Sequence, residues 1–158
     1  MKTVHFGIIG AGLMGREFAS AAARWAHLPD MQVRPEIVAV CDNNPVVLKW
    51  YRQNFPAIRL FTADYRELLA DTQVAAVYCA VPHNLHAGLY FAIIQAGKHL
   101  MGEKPFGIDK TRSFEDSISS VPSQFSNLLL HSVFSGYSIP LRNKKDRICS
   151  LMRVVSLT

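Results

Sequence analysis

The chain has 158 residues and a net charge of +5, with 49% hydrophobic and 18% charged residues. This balance predicts a globular protein with a buried core and argues against a largely disordered chain. No apolar run approaches the roughly 20 residues that a membrane-spanning helix needs. The three cysteines, Cys41, Cys79 and Cys149, lack C-x-x-C spacing, and the first two fall in apolar runs. Reduced cysteines behave there as small apolar residues, so we expect a reducing, cytoplasmic environment.

The basic charge is concentrated in the last third of the chain. Residues 1–109 carry 10 Lys and Arg against 9 Asp and Glu, whereas residues 110–158 carry 7 against 3. Composition changes at the same point, from 16 Ala and one Ser to no Ala and 11 Ser. We therefore expect an irregular, Ser-rich, basic and poorly ordered C-terminal tail over 110–158. Its basic run at 141–147 lacks interleaved aromatic residues, which favours a solvated charged segment over a nucleic-acid-binding arm.

A short apolar run at residues 5–9 predicts a buried strand that leads directly into a glycine-rich turn. The turn has G-x-G-x-x-G spacing, and a helix-like segment over 13–25 follows it. In this context the first glycine permits a sharp turn, the second lets a pyrophosphate approach the backbone, and the third lets the helix pack closely on the sheet. The N–H groups and dipole at the helix start also favour phosphate oxygens. The candidate phosphate-binding residues are Gly10, Ala11, Gly12, Leu13, Met14 and Gly15.

Strand-like and helix-like segments alternate over the next ninety residues. The predicted elements are a loop over 27–35, a strand over 36–42, a helix over 45–55, a strand over 58–61, a short helix over 64–70, a strand over 74–81, a helix over 85–96 and a strand over 98–101. Asn44 before Pro45 is typical of a helix start, and Gly97 of a helix end. The alternation predicts an α/β fold, a Rossmann-type doubly wound parallel sheet with helices on both faces.

Asp42 ends the second predicted strand, where a carboxylate can accept hydrogen bonds from the 2′-hydroxyl of an adenosine ribose. It lies 30 residues after Gly12, and the proline-bounded loop over 27–35 accounts for the excess over the compact spacing of about 20. A carboxylate would repel a 2′-phosphate, so NAD is favoured, with NADP possible. Alternatively, Asp42 caps the helix that opens at Pro45.

Polar residues also follow the fourth and fifth predicted strands, and sites in such sheets lie beyond the carboxyl ends of the strands. Lys104, oriented by Pro105, could hold a substrate hydroxyl or assist proton transfer, or it could be a solvent-facing lysine paired with Glu103. His83 and His86 have no matching ligand set for a metal, so contacts near a nicotinamide or substrate are favoured. The candidates outside the glycine turn are Asp42, Asn43, Val81, Pro82, His83, His86, Glu103 and Lys104.

These segments resemble the cofactor domain of the Gfo/Idh/MocA oxidoreductases. The resemblance covers residues 1 to about 110 and rests on GIIGAGLMG at 7–15, VAVCD at 38–42 and AVPHNLHAGLYFAIIQAGKHLMGEKPFGID at 80–109. It implies an NAD(P)-binding Rossmann domain over 1–109, with hydride transfer between nicotinamide and a hydroxyl carbon of a sugar, cyclitol or polyol. The implied roles are pyrophosphate binding by Gly10, Gly12 and Gly15, ribose binding by Asp42, cofactor proximity for Pro82, His83 and His86, and a nicotinamide and substrate position for Glu103 and the catalytic Lys104.

Members of this family are more than twice as long, are usually homo-oligomers, and carry a second domain with a catalytic histidine that nothing after Lys110 resembles. We therefore expect a chain truncated or frameshifted after about residue 110, which binds cofactor but turns over no polyol by itself. Two alternatives stay open. One is a non-catalytic nucleotide-binding or interaction module whose basic tail binds a partner. The other is a chain that does not fold stably because part of its sheet is uncovered.

Overall fold

The structure is a computed structural model that describes residues 1–27 and 33–103, together with the strands at 129–132 and 138–140. Its elements are β1 (Lys2–Ile9), α1 (Leu13–Ala23), a 3₁₀ turn (Arg24–His27), β2 (Val33–Cys41), α2 (Pro45–Asn54), β3 (Leu60–Thr62), α3 (Tyr65–Ala70), β4 (Ala76–Cys79), a 3₁₀ turn (His83–Leu85), α4 (His86–Gln95), β5 (His99–Gly102), β6 (Leu129–Ser132) and β7 (Ser138–Pro140). Within these ranges, no helix has the length and apolar character needed to cross a membrane.

The strands form one sheet in the order β3-β2-β1-β4-β5-β6-β7, and neighbouring strands from β3 to β6 are parallel. The chain first builds outward from β1 to β3 and then crosses to the other side of β1 with β4. Two apolar clusters lie on the two faces of the sheet. The first contains side chains of α1 and α2, such as Phe18 and Tyr51, and the second contains side chains of α3 and α4, such as Leu68 and Ile93. The predicted doubly wound α/β fold is therefore confirmed.

Local capping signals define the helix ends as predicted. The Asn44 side chain accepts a hydrogen bond from the Val46 N–H and Pro45 is the first residue of α2. Gly97, which follows the carboxyl end of α4, has a φ of 72°. The N–H of Gly97 donates to Ile94 and the N–H of Lys98 to Ile93, which satisfies two carbonyls at the helix end.

The first connection differs from its prediction. The loop predicted over 27–35 is wrong at its end, because β2 begins at Val33 and contains Pro35, which pairs with Val4 of β1. A proline is tolerated there because β3 pairs only with Ala39–Cys41, which leaves the start of β2 with an open side. Residues 28–32 lie outside the described residues. The long spacing between Gly12 and Asp42 thus includes a 3₁₀ turn and a nine-residue strand.

The sheet also extends beyond the five predicted strands. Strand β6 pairs in parallel with β5, and β7 pairs antiparallel with β6, although both belong to the segment that the composition assigned to an irregular tail. The apolar run at 128–130 supplies β6, which pairs with an edge of β5 that would otherwise leave its N–H and C=O groups unpaired. The rest of the predicted tail lies outside the described residues.

Two buried cysteines make stability sensitive to alkaline pH. Burial raises the pKa of Cys41 from 9.0 to about 11 and that of Cys79 from 9.0 to about 12. Because both folded-state values exceed the unfolded value, their contribution to stability is complete below pH 9 and is lost as pH rises through the folded values. Both thiols are therefore protonated and poorly nucleophilic at neutral pH, as expected for reduced core cysteines.

We expect the free energy of unfolding to begin falling near pH 9. Urea unfolding measured from pH 7 to pH 10.5 checks this. In the Cys41→Ala, Cys79→Ala double variant, the fall should begin about one pH unit later, where the buried tyrosines start to titrate in the unfolded chain. The comparison uses the onset of the fall, because the cavities left by the substitutions lower stability at every pH. The same onset in both proteins would contradict the assignment.

Candidate cofactor-binding site

Four parallel strands end level with one another. Ile9 pairs with both Cys41 and Cys79, and Cys79 pairs with Gly102, so the last residues of β2, β1, β4 and β5 lie in one row across the sheet. The residues that follow are Asp42, Gly10, Ala80 and Glu103. The strand-end residues that the sequence singled out therefore lie along one carboxyl edge, with the crossing from β1 to β4 in the middle of the row. Open sheets of this kind bind ligands at that crossing.

The glycine turn after β1 is held in a conformation that requires Gly10. Its φ is 94°, and a Cβ placed there would lie 2.3 Å from the carbonyl oxygen of Ala80. Gly15 also lacks space, because its Cβ would lie 2.3 Å from the Gly10 carbonyl oxygen and 2.8 Å from the hydroxyl of Tyr51. The close approach at the third glycine is thus between α1, the backbone that directly follows β1, and a side chain of α2.

Gly12 differs from its two neighbours in the motif. Apart from its chain neighbours, no heavy atom of the described residues lies within 4 Å of a Cβ built on Gly12, so this part of the fold leaves the position open. Gly12 is also the N-cap of α1, and no side chain in the described part of the chain caps that helix end. Leu13 follows with 74% of its surface exposed, and Met14 is half-buried. An open backbone at a helix amino terminus fits an anionic group such as a pyrophosphate, because the first N–H groups have no helical partners.

The carboxylate of Asp42 joins the end of β2 to the glycine turn. One oxygen accepts the Ala11 N–H at 2.8 Å, and the other accepts the Asn44 N–H at 2.8 Å. The alternative that Asp42 caps α2 is wrong in detail, because the side chain of Asn44 does so. This hydrogen bond occupies the N–H of Ala11. The N–H groups of the residues after Gly12 are not used by Asp42 and can bind a phosphate. Each Asp42 oxygen keeps a further lone pair with which to accept a hydroxyl. Asn43, next along the chain, is exposed.

The histidines after β4 have different environments. His83 and Pro82 are exposed, whereas His86 is only 2% exposed and its Nε2 donates to the Val81 carbonyl oxygen at 2.8 Å. The ring of His86 also stacks on Tyr90, with centroids 4.8 Å apart. His86 therefore supports the turn from inside the fold, and its contact with a cofactor stays a prediction. Among the described side chains, no three His, Cys, Asp or Glu are placed to hold a metal ion.

Glu103 follows β5 and is held by two tyrosines. The Tyr78 hydroxyl donates to a carboxylate oxygen of Glu103, and the Tyr90 hydroxyl donates to its backbone carbonyl oxygen at 2.8 Å. The Glu103 carboxylate thus has a partner within the fold. Lys104 itself, the predicted catalytic lysine, lies outside the described residues.

Sequence reasoning missed the two tyrosines that contact Glu103. Tyr78 lies in the strand predicted over 74–81 and Tyr90 in the helix predicted over 85–96, and neither was expected to contact Glu103. A signal was available, since a buried tyrosine usually brings its hydroxyl to a polar partner. Gly102 was missed as well, and its hydrogen side chain is needed because a Cβ there would lie 2.7 Å from the ring of Tyr90.

Comparison with known proteins agrees with this fold. Residues 4–118 match the family model of the Gfo/Idh/MocA proteins, described as an oxidoreductase family with an NAD-binding Rossmann fold. Levoglucosan dehydrogenase of Pseudarthrobacter phenanthrenivorans is 28% identical over 141 residues, which cover 87% of this chain and 34% of that protein. Because it covers 87% of the chain, this match extends beyond residue 110. The chain spans about a third of the length of the curated relatives it matches.

Solved structures show the same relationship. A levoglucosan dehydrogenase in complex with NADH and L-sorbose superposes with a TM-score of 0.70 and 25% identity, covering 85% of this chain and 35% of that one. Scyllo-inositol dehydrogenase from Lactobacillus casei, with bound NAD(H) and scyllo-inositol, superposes with a TM-score of 0.64 and 25% identity, covering 83% and 36%. The chain therefore belongs to the Gfo/Idh/MocA oxidoreductase family and contains its NAD-binding Rossmann fold.

Proposed function

We propose that this chain binds NAD(H) along the carboxyl edge of its sheet and forms the cofactor half of a dehydrogenase. The observation that carries the proposal is the row of level strand ends, with an open glycine turn beside a carboxylate. In this assignment the N–H groups after Gly12 hold the pyrophosphate and Asp42 accepts the hydroxyls of the adenosine ribose. The nicotinamide half then extends to the other side of β1, over the ends of β4 and β5, where His83 and Glu103 lie.

The substrate class follows from the relatives. The two solved relatives bind L-sorbose and scyllo-inositol, a sugar and a cyclitol, beside the same cofactor. We infer that the substrate here is likewise a sugar, cyclitol or related polyol, and that the nicotinamide supplies or accepts the hydride at its hydroxyl carbon. Lys104, directly after Glu103 in the sequence, remains the proposed residue for holding that hydroxyl, and a reducing cytoplasm remains the proposed location.

Isothermal titration calorimetry with NADH tests the proposed function directly. We expect one NADH to bind per chain and ADP-ribose to compete for the same site, because the pyrophosphate and adenosine contacts are common to both ligands. If folded protein binds neither NADH nor ADP-ribose saturably, the proposal is contradicted.

Asp42 should also select against NADPH. A 2′-phosphate at the ribose would meet the carboxylate within a few ångströms, and such like-charge contact is expected to weaken NADPH at least about tenfold relative to NADH. In Asp42→Asn we expect weaker NADH binding and a smaller difference between the two cofactors. The matched control is Asp64→Asn, because the Asp64 carboxylate likewise accepts a backbone N–H, that of Arg66, but follows the outer strand β3. Equal preference for both cofactors in the wild-type chain would contradict the role of Asp42.

A further inference from the structure

Hydroxyls from both faces of the sheet hold the carboxyl end of β5. Tyr78 belongs to the apolar cluster on the α1 face, where its ring stacks on Phe18 with centroids 4.3 Å apart. Tyr90 belongs to the cluster on the α4 face, where its ring stacks on His86. One hydroxyl reaches the side chain of Glu103 and the other reaches its backbone. The two contacts together restrain both the position and the direction of Glu103.

Both tyrosines are suited to hold one geometry. Tyr78 is 1% exposed and Tyr90 is 0% exposed, so close packing restricts movement of their rings. Burial is the main cause that raises the pKa of each hydroxyl well above its usual value, so both remain protonated donors at neutral pH. The absence of a Cβ at Gly102 provides the space that the Tyr90 ring occupies. Three buried residues, Tyr78, Tyr90 and Gly102, thus contribute to the placement of Glu103.

The location of Glu103 gives this arrangement a functional meaning. Asp42 and Glu103 follow β2 and β5, which lie on opposite sides of β1 in the sheet. Neighbouring strands are about 4.8 Å apart, so Glu103 lies about 10 Å from the glycine turn on the side away from Asp42. A dinucleotide with its pyrophosphate at the turn and its adenosine at Asp42 must direct its other half toward β4 and β5.

We propose that Tyr78 and Tyr90 are positioning residues for the nicotinamide half of the cofactor, acting through Glu103 as a tyrosine clamp. The proposal rests on the proposed function, since it assumes that a nicotinamide dinucleotide occupies the edge. The clamp sets where the chain leaves β5, and it thereby shapes the surface against which the nicotinamide riboside lies. It makes no contact with the adenosine half, which is held at β1 and β2.

The test compares two ligands in tyrosine-to-phenylalanine variants. Affinities for NADH and for ADP-ribose, which lacks the nicotinamide riboside, are measured by calorimetry in Tyr78→Phe, Tyr90→Phe and the double variant. We expect the Kd for NADH to rise about three- to tenfold per lost hydroxyl, while the Kd for ADP-ribose changes by less than about twofold. The matched control is Tyr51→Phe, because Tyr51 is also 0% exposed and its hydroxyl has no hydrogen-bond partner in the described part of the chain.

The ratio of the two Kd values keeps the result interpretable if a variant is partly unfolded. An unfolded fraction weakens the apparent affinity for both ligands by the same factor, so the ratio is unchanged by stability alone. A ratio equal to that of the wild-type chain in both single variants overturns the clamp, whatever the absolute affinities. A shift of the ratio in Tyr51→Phe of the same size also overturns it. Failure of the wild-type chain to bind either ligand would instead contradict the proposed function.

Discussion

Replacing Gly12 by alanine should weaken NADH binding about tenfold or more while the fold remains intact. Among the described residues, and beyond its chain neighbours, no heavy atom lies within 4 Å of a Cβ at Gly12, and its φ of −69° lies outside the left-handed region that favours glycine. The added methyl group would therefore occupy space outside the protein, where the proposed pyrophosphate approaches the backbone. Calorimetry measures the loss of affinity, and urea unfolding should show a change in stability of no more than about 1 kcal/mol, from the altered N-cap.

The matched control for this substitution is Gly88→Ala. Gly88 is an exposed residue of α4, and outside the backbone of that helix no described heavy atom would lie within 4 Å of its Cβ. Alanine there should raise the free energy of unfolding by up to about 1 kcal/mol, because alanine favours the helix more than glycine does. The affinity for NADH should stay as in the wild-type chain. Unchanged NADH affinity in Gly12→Ala would show that the cofactor does not approach the turn at this residue.

Replacing Gly10 by alanine should instead destabilise the fold itself, by about 3 kcal/mol or more. The φ of 94° is unfavourable for alanine, and the Cβ would lie 2.3 Å from the Ala80 carbonyl oxygen. That oxygen belongs to the backbone after β4, so relief of the clash must move the turn or the neighbouring strand end. Strain of this kind contributes a few kcal/mol, and the forced overlap adds to it. Urea or thermal unfolding followed by circular dichroism measures the effect.

The contrast between the two glycines is the informative result, because the same methyl group is added two residues apart. Gly10→Ala should lower the free energy of unfolding, and its loss of NADH binding should follow the unfolded fraction. In Gly12→Ala the affinity for NADH should fall in protein that is still folded. Equal stability of the two variants would contradict the assignment of Gly10 as the structural glycine of the turn.

Buried residues beneath the carboxyl edge affect it in two ways: the cysteines add no charge, and the tyrosine clamp restrains Glu103. Cys41 and Cys79 end β2 and β4 on either side of Ile9, directly beneath the carboxyl edge of the sheet. Their raised pKa values keep them neutral, so the charge close to this part of the edge comes from acids such as Asp42. The two halves of the edge differ in their hydrogen bonds, because Asp42 accepts backbone N–H groups and Glu103 accepts tyrosine hydroxyls. That difference suits the proposed ligand NAD(H), whose adenosine and nicotinamide halves are unlike.

Local patterns in the sequence determined much of this protein. The apolar runs, the cap formed by Asn44 and Pro45, and the glycine after α4 predicted the helices and strands because each is a short-range signal. The glycine spacing and Asp42 predicted the cofactor edge, since parallel strands bring their carboxyl ends together wherever they lie in the chain. These inferences need only the order of elements and the handedness of the crossovers.

Only the tertiary structure decided what depends on partners distant in the sequence. The contact of Asp42 with Ala11 spans 31 positions, and that of Tyr78 with Glu103 spans 25. Such contacts arise from strand register and from which face a side chain occupies, and neither follows from local composition. The same holds for the buried position of His86 and for the strand that β6 adds to the edge of β5. The sequence thus predicted a dinucleotide site at this edge, and the packing of the sheet decided which side chains hold the edge in its shape.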